Sequence, residues 1–156
     1  MRAAKKTLVI GYGNPGRGDD GLGPALAGMV ERARIGGVTV QMDYQLTVEN
    51  AHDVAQYDMV IFADASVNET EPFTLAPLVP DLEPRFDSHS LAPGTVLYLA
   101  QSLFGAAPEA YLVGVRGYEF DFFGERLSVK AEANLAAAAR RVVDMLCEYN
   151  RSSRLG

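Results

Sequence analysis

The sequence predicts an α/β protein, a three-layer α/β/α sandwich with a mostly parallel central sheet. Short apolar segments rich in β-branched residues alternate along the chain with amphipathic segments of helical period, a pattern typical of a parallel sheet covered by helices on both faces. The 156 residues are the length of one domain, and their 48% hydrophobic content is sufficient for a packed core. The pattern contains neither repeat nor linker, and it leaves the order of the strands open.

Four segments are predicted as strands of this sheet, and a fifth as an edge strand or a loop. Residues 7–10 are apolar and β-branched, and they lead into a glycine-rich loop that continues to Gly16. Residues 59–63 are continuously apolar, as is expected for a strand buried on both faces. Residues 71–80 contain three prolines, which predicts an edge strand or a loop. The two remaining strands are predicted at residues 38–44 and 111–115.

Four segments are predicted as helices. The first begins at Leu22 and is stopped by Gly36-Gly37, a short second helix occupies residues 49–56, a third follows His89, and Ser128 caps the fourth. The residues expected to face the core are Leu22, Ala25, Leu26, Met29, Val30 and Ala33 in the first helix, Val96, Leu97, Ala100, Leu103 and Phe104 in the third, and Leu135, Ala139, Val142, Val143 and Leu146 in the fourth. These elements predict a single α/β domain over residues 1–150 and a flexible tail over residues 151–156.

Composition excludes several classes of function. The chain has 14 Lys and Arg against 20 Asp and Glu, a formal net charge of -6, which argues against binding nucleic acid or an anionic membrane. Cys147 is the one cysteine, so no internal disulfide is expected, and no apolar segment has the length of a secretory signal or a membrane span. We expect a soluble, cytoplasmic monomer.

Candidate site residues follow from the expectation that ligands bind at the carboxyl ends of parallel strands. Asp64 directly follows the apolar segment 59–63, and Asp19 and Asp20 end the glycine-rich loop, where the first helix begins. Asp19 fits an ordinary helix N-cap. Taken alone, Asp64 is as well explained as a structural residue whose carboxylate accepts hydrogen bonds from loop amides. His89 lies just ahead of the third helix.

The combination of Asp20, Asp64 and His89 predicts a different chemistry from any one of them. Two carboxylates and one imidazole form a mixed oxygen and nitrogen set, which suits a divalent ion such as nickel or zinc and leaves positions open for water or substrate. Metal-assisted hydrolysis fits this set, because the ion polarises a carbonyl or lowers the pKa of bound water.

Three segments carry a family resemblance. Ile10-Gly11-Tyr12-Gly13-Asn14, followed after four residues by Asp19-Asp20-Gly21-Leu22-Gly23, resembles the opening motif of hydrogenase maturation endopeptidases. Asp64-Ala65 after an apolar strand and Ser88-His89-Ser90-Leu91 are similar to the second and third segments of that family, in the same order. The resemblance covers nearly the whole chain and implies a sandwich of the phosphorylase/hydrolase-like type.

The resemblance also implies site residues and an activity. In this family the second acidic position of the first motif, the strand-end aspartate and the histidine bind metal, so Asp20, Asp64 and His89 are expected as metal ligands and catalytic residues of an aspartyl endopeptidase-like hydrolase. The implied reaction removes the C-terminal extension of a nickel–iron hydrogenase large-subunit precursor after nickel insertion. The nickel would be supplied by that substrate, with cadmium or zinc as substitutes in crystals. Asp19 is the nearest candidate for a general base.

Three other interpretations stay open at this point. Gly13-Asn14-Pro15-Gly16 also occurs in the opening motif of peptidyl-tRNA hydrolases, although no histidine follows the loop and the chain is acidic. Gly11, Gly13 and Gly16 nearly match a dinucleotide fingerprint, although two aspartates would repel a pyrophosphate. The third is a non-catalytic, metal-binding maturation factor with the same ligands.

Overall fold

A five-stranded sheet forms the centre of the computed structural model, which describes residues 4–86 and 90–155. The strand order is β2-β1-β3-β5-β4; all neighbouring pairs are parallel except β4 with β5, which is antiparallel. Pro77 of β4 therefore lies at a sheet edge, which is one of the two alternatives predicted for residues 71–80. The strands are β1 Thr7–Tyr12, β2 Val38–Asp43, β3 Met59–Ser66, β4 Phe73–Pro77 and β5 Glu109–Arg116.

Helices cover both faces of this sheet, which confirms the predicted three-layer α/β/α architecture. They are α1 Leu22–Arg32, α2 Glu49–Val54, α3 Pro93–Phe104 and α4 Val129–Leu155, with a short 3₁₀ helix, Gly18–Gly21, ahead of α1. Helices α1 and α4 bury side chains such as Leu26 and Val142 against one face, and α2 and α3 bury side chains such as Val54 and Val96 against the other. Over the described part of the chain, no helix combines the length and the apolar character needed to cross a membrane.

The predicted helices differ from the observed ones mainly at their ends. Helix α1 ends at Arg32, ahead of Gly36, and α4 continues through Leu155, so residues 151–155 of the segment predicted as a flexible tail belong to this helix. The exposed fractions of Leu103 and Phe104 are 64% and 50%, so their assignment to the inner face of α3 was wrong. Ser128 caps α4 as predicted, because its hydroxyl accepts a hydrogen bond from the Ala131 N–H at 3.4 Å.

Close packing of glycines sets α1 against the carboxyl end of the sheet. A Cβ on Gly23 would lie 2.5 Å from the Ala63 carbonyl oxygen and would also overlap the carbonyl of Tyr12, so only glycine allows the helix to approach β1 and β3 this closely. Gly13 has a φ of +139°, and a side chain there would overlap the carbonyl of Asp20. The glycines of the opening motif thus place Asp20 beside the ends of β1 and β3.

Candidate active site

Asp64 lies inside β3 rather than after it. The strand was expected to end at Ala63, but it continues to Ser66, because Asp64 pairs with Gly114 and Ser66 with Arg116 of the neighbouring β5. One carboxylate oxygen of Asp64 accepts a hydrogen bond from the Ala65 N–H at 2.8 Å. The expected contact with a backbone amide is therefore present, and it occupies one of the two oxygens.

The register of the sheet places Tyr12 beside Asp64. Gly11 pairs with Ala63 across β1 and β3, so the next residues of these parallel strands, Tyr12 and Asp64, are opposite each other. In-register neighbours point to the same face of a sheet, here the face covered by α2 and α3, where Tyr12 packs against the core. On the other side of Asp64 the neighbour is Gly114, which has no side chain.

A groove begins at Asp64 and runs along the uncovered end of this face. Its volume is about 520 Å³, and it is lined by residues of β3, β4, β5 and the loop after β3, among them Ser66, Glu69 and Thr74. Gly114 lies in its floor, since a Cβ there would be 3.1 Å from the Thr74 hydroxyl oxygen. A volume of this order is typical of sites that take a small ligand or a short peptide segment.

Asp20 approaches the same point from the 3₁₀ helix, which contacts β3. One of its carboxylate oxygens accepts a hydrogen bond from the Asn14 N–H at 2.8 Å, which fixes the side chain across the glycine-rich loop. Its negative charge is close enough to Asp64 to raise the pKa of that carboxyl. The structure therefore places two of the three predicted ligands near enough to each other for their charges to interact.

The electrostatics of Asp64 are unusual for a carboxylate. Burial is the largest cause that raises its pKa, to about 6, and the charge of Asp20 acts in the same direction. Hydrogen bonds from the Ala65 N–H and the Tyr12 hydroxyl lower it only in part. The pKa of Tyr12 is raised in turn, by burial and then by the charge and hydrogen bond of Asp64. Tyr12 was not predicted as a site residue.

No described cation compensates these two carboxylates. Among residues 4–86 and 90–155, Lys130 and Glu71 form the one ion pair within 4.0 Å, and no three His, Cys, Asp or Glu side chains cluster as a metal site would require. Two adjacent carboxylates without a counter-ion are a donor set that a divalent cation would stabilise. The residues present therefore fit a metal ligand pair.

His89, the third predicted ligand, lies outside the described residues. Its role as a ligand and catalytic residue stays a prediction from the sequence.

Asp19 has a structural role that differs from both roles considered for it. Its side chain is fully buried, and its two oxygens accept hydrogen bonds from the Tyr118 N–H at 2.7 Å, the Glu119 N–H at 2.9 Å, and the N–H and hydroxyl of Ser128 at 2.7 and 2.6 Å. Burial alone would raise the pKa of Asp19, but these hydrogen bonds outweigh it and hold the pKa below its ordinary value. The residue ahead of α1 is Gly21, so Asp19 is neither the N-cap nor an accessible general base.

The glycine-rich loop is not arranged to bind a pyrophosphate. A dinucleotide loop offers free N–H groups to the phosphates. Here the N–H groups from Gly13 to Gly18, other than that of Pro15, which has none, already bond within the protein. Their acceptors are the carbonyls of Asp43, Asn14 and Gly124 and the side chains of Asp20 and Asn14. This bonding argues against the dinucleotide interpretation.

Comparison with known proteins agrees with this geometry. No family model and no curated protein sequence matches the chain. Among solved structures, the hydrogenase maturating endopeptidase HybD from Escherichia coli has 25% identity and a TM-score of 0.73, over 92% of this chain and 93% of that chain. The [NiFe] hydrogenase maturation protease HycI from Thermococcus kodakarensis KOD1 has 21% identity and a TM-score of 0.71, over 91% and 92%.

A third structure, the hydrogenase 2 maturation peptidase from the Thaumarchaeota archaeon SCGC_AB-539-E09, has 24% identity and a TM-score of 0.65, over 91% of this chain and 98% of that chain. The two structures with lower identity support the fold, and HybD, at 25% identity, supports both the fold and the resemblance to its family. The chain therefore has the fold of the hydrogenase maturation endopeptidases, and its resemblance to that family is confirmed.

Proposed function

We propose that this protein is an endopeptidase that removes the C-terminal extension of a nickel–iron hydrogenase large-subunit precursor after nickel has been inserted. The observation that carries the proposal is the proximity of Asp20 and Asp64, whose charges interact at the carboxyl end of the sheet, together with a groove of about 520 Å³ that Asp64 lines. The likeness to HybD, at 25% identity over 92% of the chain, supports it.

Nickel is the substrate's own ion in this proposal. Asp20, Asp64 and His89 complete its coordination, so that only a loaded precursor is held in the site. Two carboxylates that lack a counter-ion among the described residues favour such an ion, and the raised pKa of Asp64 reflects the cost of leaving that charge uncompensated. An ion held there polarises the scissile carbonyl or lowers the pKa of a water molecule.

The groove provides a place for the peptide to be cut. It begins at Asp64 and continues past Ser66 and Thr74, so a chain segment lying in it passes the Asp64 carboxylate. The net charge of -6 is compatible with a protein partner and unfavourable for nucleic acid or an anionic membrane. We further propose that the protein acts in the cytoplasm as a monomer.

Incubation with a nickel-loaded precursor tests this function. Mass spectrometry should detect the loss of a C-terminal peptide from the precursor, and a nickel-free precursor should remain intact. Asp20→Ala, Asp64→Ala and His89→Ala should each abolish the mass loss while circular dichroism stays unchanged. Asp144→Ala, which removes an exposed carboxylate of α4, is the matched control and should process normally.

Each unexpected result has a specific meaning. Normal processing by His89→Ala would show that His89 is neither a ligand nor a catalytic residue. If the wild type binds the loaded precursor but never shortens it, the protein is a non-catalytic maturation factor and the proposed activity is wrong.

A further inference from the structure

Glu69 lines the groove, and the proposed function assigns it no role. It lies in the turn that follows β3. The backbone N–H of Glu69 donates to the Ser66 hydroxyl at 2.9 Å, and the Arg116 guanidinium donates to the Glu69 carbonyl at 2.9 Å. These bonds tie the backbone of Glu69 to the ends of β3 and β5, so its side chain starts from a fixed point at the edge of the groove.

The register of three strands determines where the Glu69 carboxylate lies. Asp64 of β3, Gly114 of β5 and Thr74 of β4 are paired in register, so they form one row on one face of the sheet. Gly114 contributes no side chain to this row, and a Cβ there would lie 3.5 Å from one carboxylate oxygen of Glu69. Glu69 therefore occupies the position beside Asp64 that a side chain at Gly114 would otherwise fill.

This carboxylate is held in place but not neutralised. The Thr74 hydroxyl donates a hydrogen bond to Oε2 of Glu69. In the described part of the chain, no cation lies within 4.0 Å of the Glu69 carboxylate. Arg116 has other partners, because its guanidinium bonds the backbone carbonyls of Glu69 and Gly117 and lies 5.1 Å from the centre of the Tyr118 ring. Glu69 thus offers the groove an oriented negative charge.

The remaining lining of the groove indicates which side chain this charge suits. Among the described lining residues, Asp64 and Glu69 carry the charges, and both are acidic, so an acidic ligand would be repelled. Ala76 and Leu112 provide apolar surface in the same groove. Lys and Arg combine an apolar stem, which can lie on such surface, with a cationic end that forms charge-assisted hydrogen bonds to a carboxylate.

We propose that Glu69 is a specificity-determining residue: its carboxylate binds a positively charged side chain, Lys or Arg, of the precursor segment that passes Asp64. The inference rests on the proposed function for the identity of the substrate and on the geometry of the groove for the chemistry of the ligand. Binding of this side chain fixes the position of the segment along the groove relative to Asp64.

NMR of the full-length, nickel-free protein tests the chemistry of the subsite. The probe is N-acetyl-arginine amide, and N-acetyl-citrulline amide has nearly the same shape without the charge. The arginine probe should shift the backbone amide signals of Glu69 and Gly114. Its dissociation constant should be at least about tenfold smaller than that of the citrulline probe, and it should rise about tenfold in Glu69→Gln. Glu132→Gln makes the same change of charge at an exposed position of α4 and should bind like the wild type.

Processing of the nickel-loaded precursor tests the role in substrate selection. Glu69→Gln should lower kcat/KM about tenfold, and Glu132→Gln should leave it unchanged. A second precursor carries Gln in place of the Lys and Arg residues that flank the cut. The wild type and Glu69→Gln should process this precursor equally well, because the partner of Glu69 has been removed. A merely structural role of Glu69 would slow the processing of both precursors alike.

Equal affinities for the two probes, or equal affinities of Glu69→Gln and the wild type for the arginine probe, would overturn recognition of the charge by Glu69. A defect of Glu69→Gln that is the same on both precursors would overturn its role in specificity. If the wild type fails to process the precursor, the proposed function is wrong, and the NMR titration still decides whether Glu69 binds a cationic side chain.

Discussion

Asp64→Asn should make the protein more stable at neutral pH and inactive as a protease. The pKa of Asp64 is raised from 3.8 to about 6 in the folded protein, so ionising this group costs the folded state more than the unfolded one. Roughly two pKa units at 1.36 kcal/mol each give an upper limit of about 3 kcal/mol for the cost of ionising Asp64 in the folded state. Because Asp64 is partly exposed, screening by solvent reduces this cost. We expect Asp64→Asn to raise the free energy of unfolding at neutral pH by about 1–2 kcal/mol.

The sign of the effect follows from the direction of the shift. A raised folded-state pKa means that the folded protein holds the proton more tightly, so this group favours folding at low pH and loses that contribution as pH rises from about 4 to about 6. Asparagine does not titrate, so its contribution to stability does not change with pH. The stability of the variant should therefore increase relative to that of the wild type between pH 4 and pH 8. The pH-dependent contribution of Asp19 cancels in this comparison, because both proteins contain Asp19.

Urea denaturation of both proteins at pH 4 and pH 8 measures this difference. We expect the free energy of unfolding of Asp64→Asn minus that of the wild type to be larger at pH 8 than at pH 4 by about 1–2 kcal/mol. A difference that is the same at both pH values, or larger at pH 4, would refute the claim that Asp64 is destabilised by burial and by Asp20.

Three further predictions follow from the same geometry. Asp19→Ala leaves four hydrogen-bond donors without their acceptor in a buried site and should lower the free energy of unfolding, measured in urea at pH 7, by at least about 3 kcal/mol. Because the pKa of Asp19 is lowered in the fold, its contribution is present above the unfolded-state pKa and is lost as pH falls, so the deficit should shrink in acid; a constant deficit would contradict this. Gly23→Ala should destabilise by about 1–3 kcal/mol, because its Cβ would lie 2.5 Å from the Ala63 oxygen. Gly28→Ala in the same helix meets only contacts of 3.5 Å or more and should be neutral or stabilising by up to about 1 kcal/mol; equal melting temperatures for the two variants would count against the close approach. The kcat/KM of processing should fall below about pH 6, because only ionised Asp64 binds a cation, and a flat profile from pH 5 to pH 8 would exclude that role.

Local patterns in the sequence were enough to predict the layers of the fold and the edge of the sheet that carries the site. Parallel strands end at the same edge, so an aspartate after the apolar segment 59–63 and an acidic pair after the first loop were expected to meet there. Asp20 and Asp64 are near enough there for the charge of Asp20 to raise the pKa of Asp64, and their role as ligands stays a prediction. The extra length of β3 was not predicted, because Asp64 and Ser66 are polar and join the strand only through pairing with β5.

Contacts between distant segments account for what was missed. The position of Tyr12 opposite Asp64 depends on β1 lying next to β3, and hydrophobic periodicity carries no information on strand order. The burial of Asp19 depends on Tyr118 and Ser128, which are 99 and 109 residues further along the chain. The repeated Gly-x-Gly pattern was a usable signal, since glycines at Gly11 and Gly23 indicate a close approach of backbones.

Anomalous diffraction from a crystal soaked with cadmium tests the central claim most directly. Cadmium binds oxygen and nitrogen ligands and scatters strongly enough to locate one ion. We expect a single strong peak bonded to the carboxylates of Asp20 and Asp64 and to the imidazole of His89, at the end of the groove. A peak bonded elsewhere, with Asp20 and Asp64 left without an ion, would contradict it.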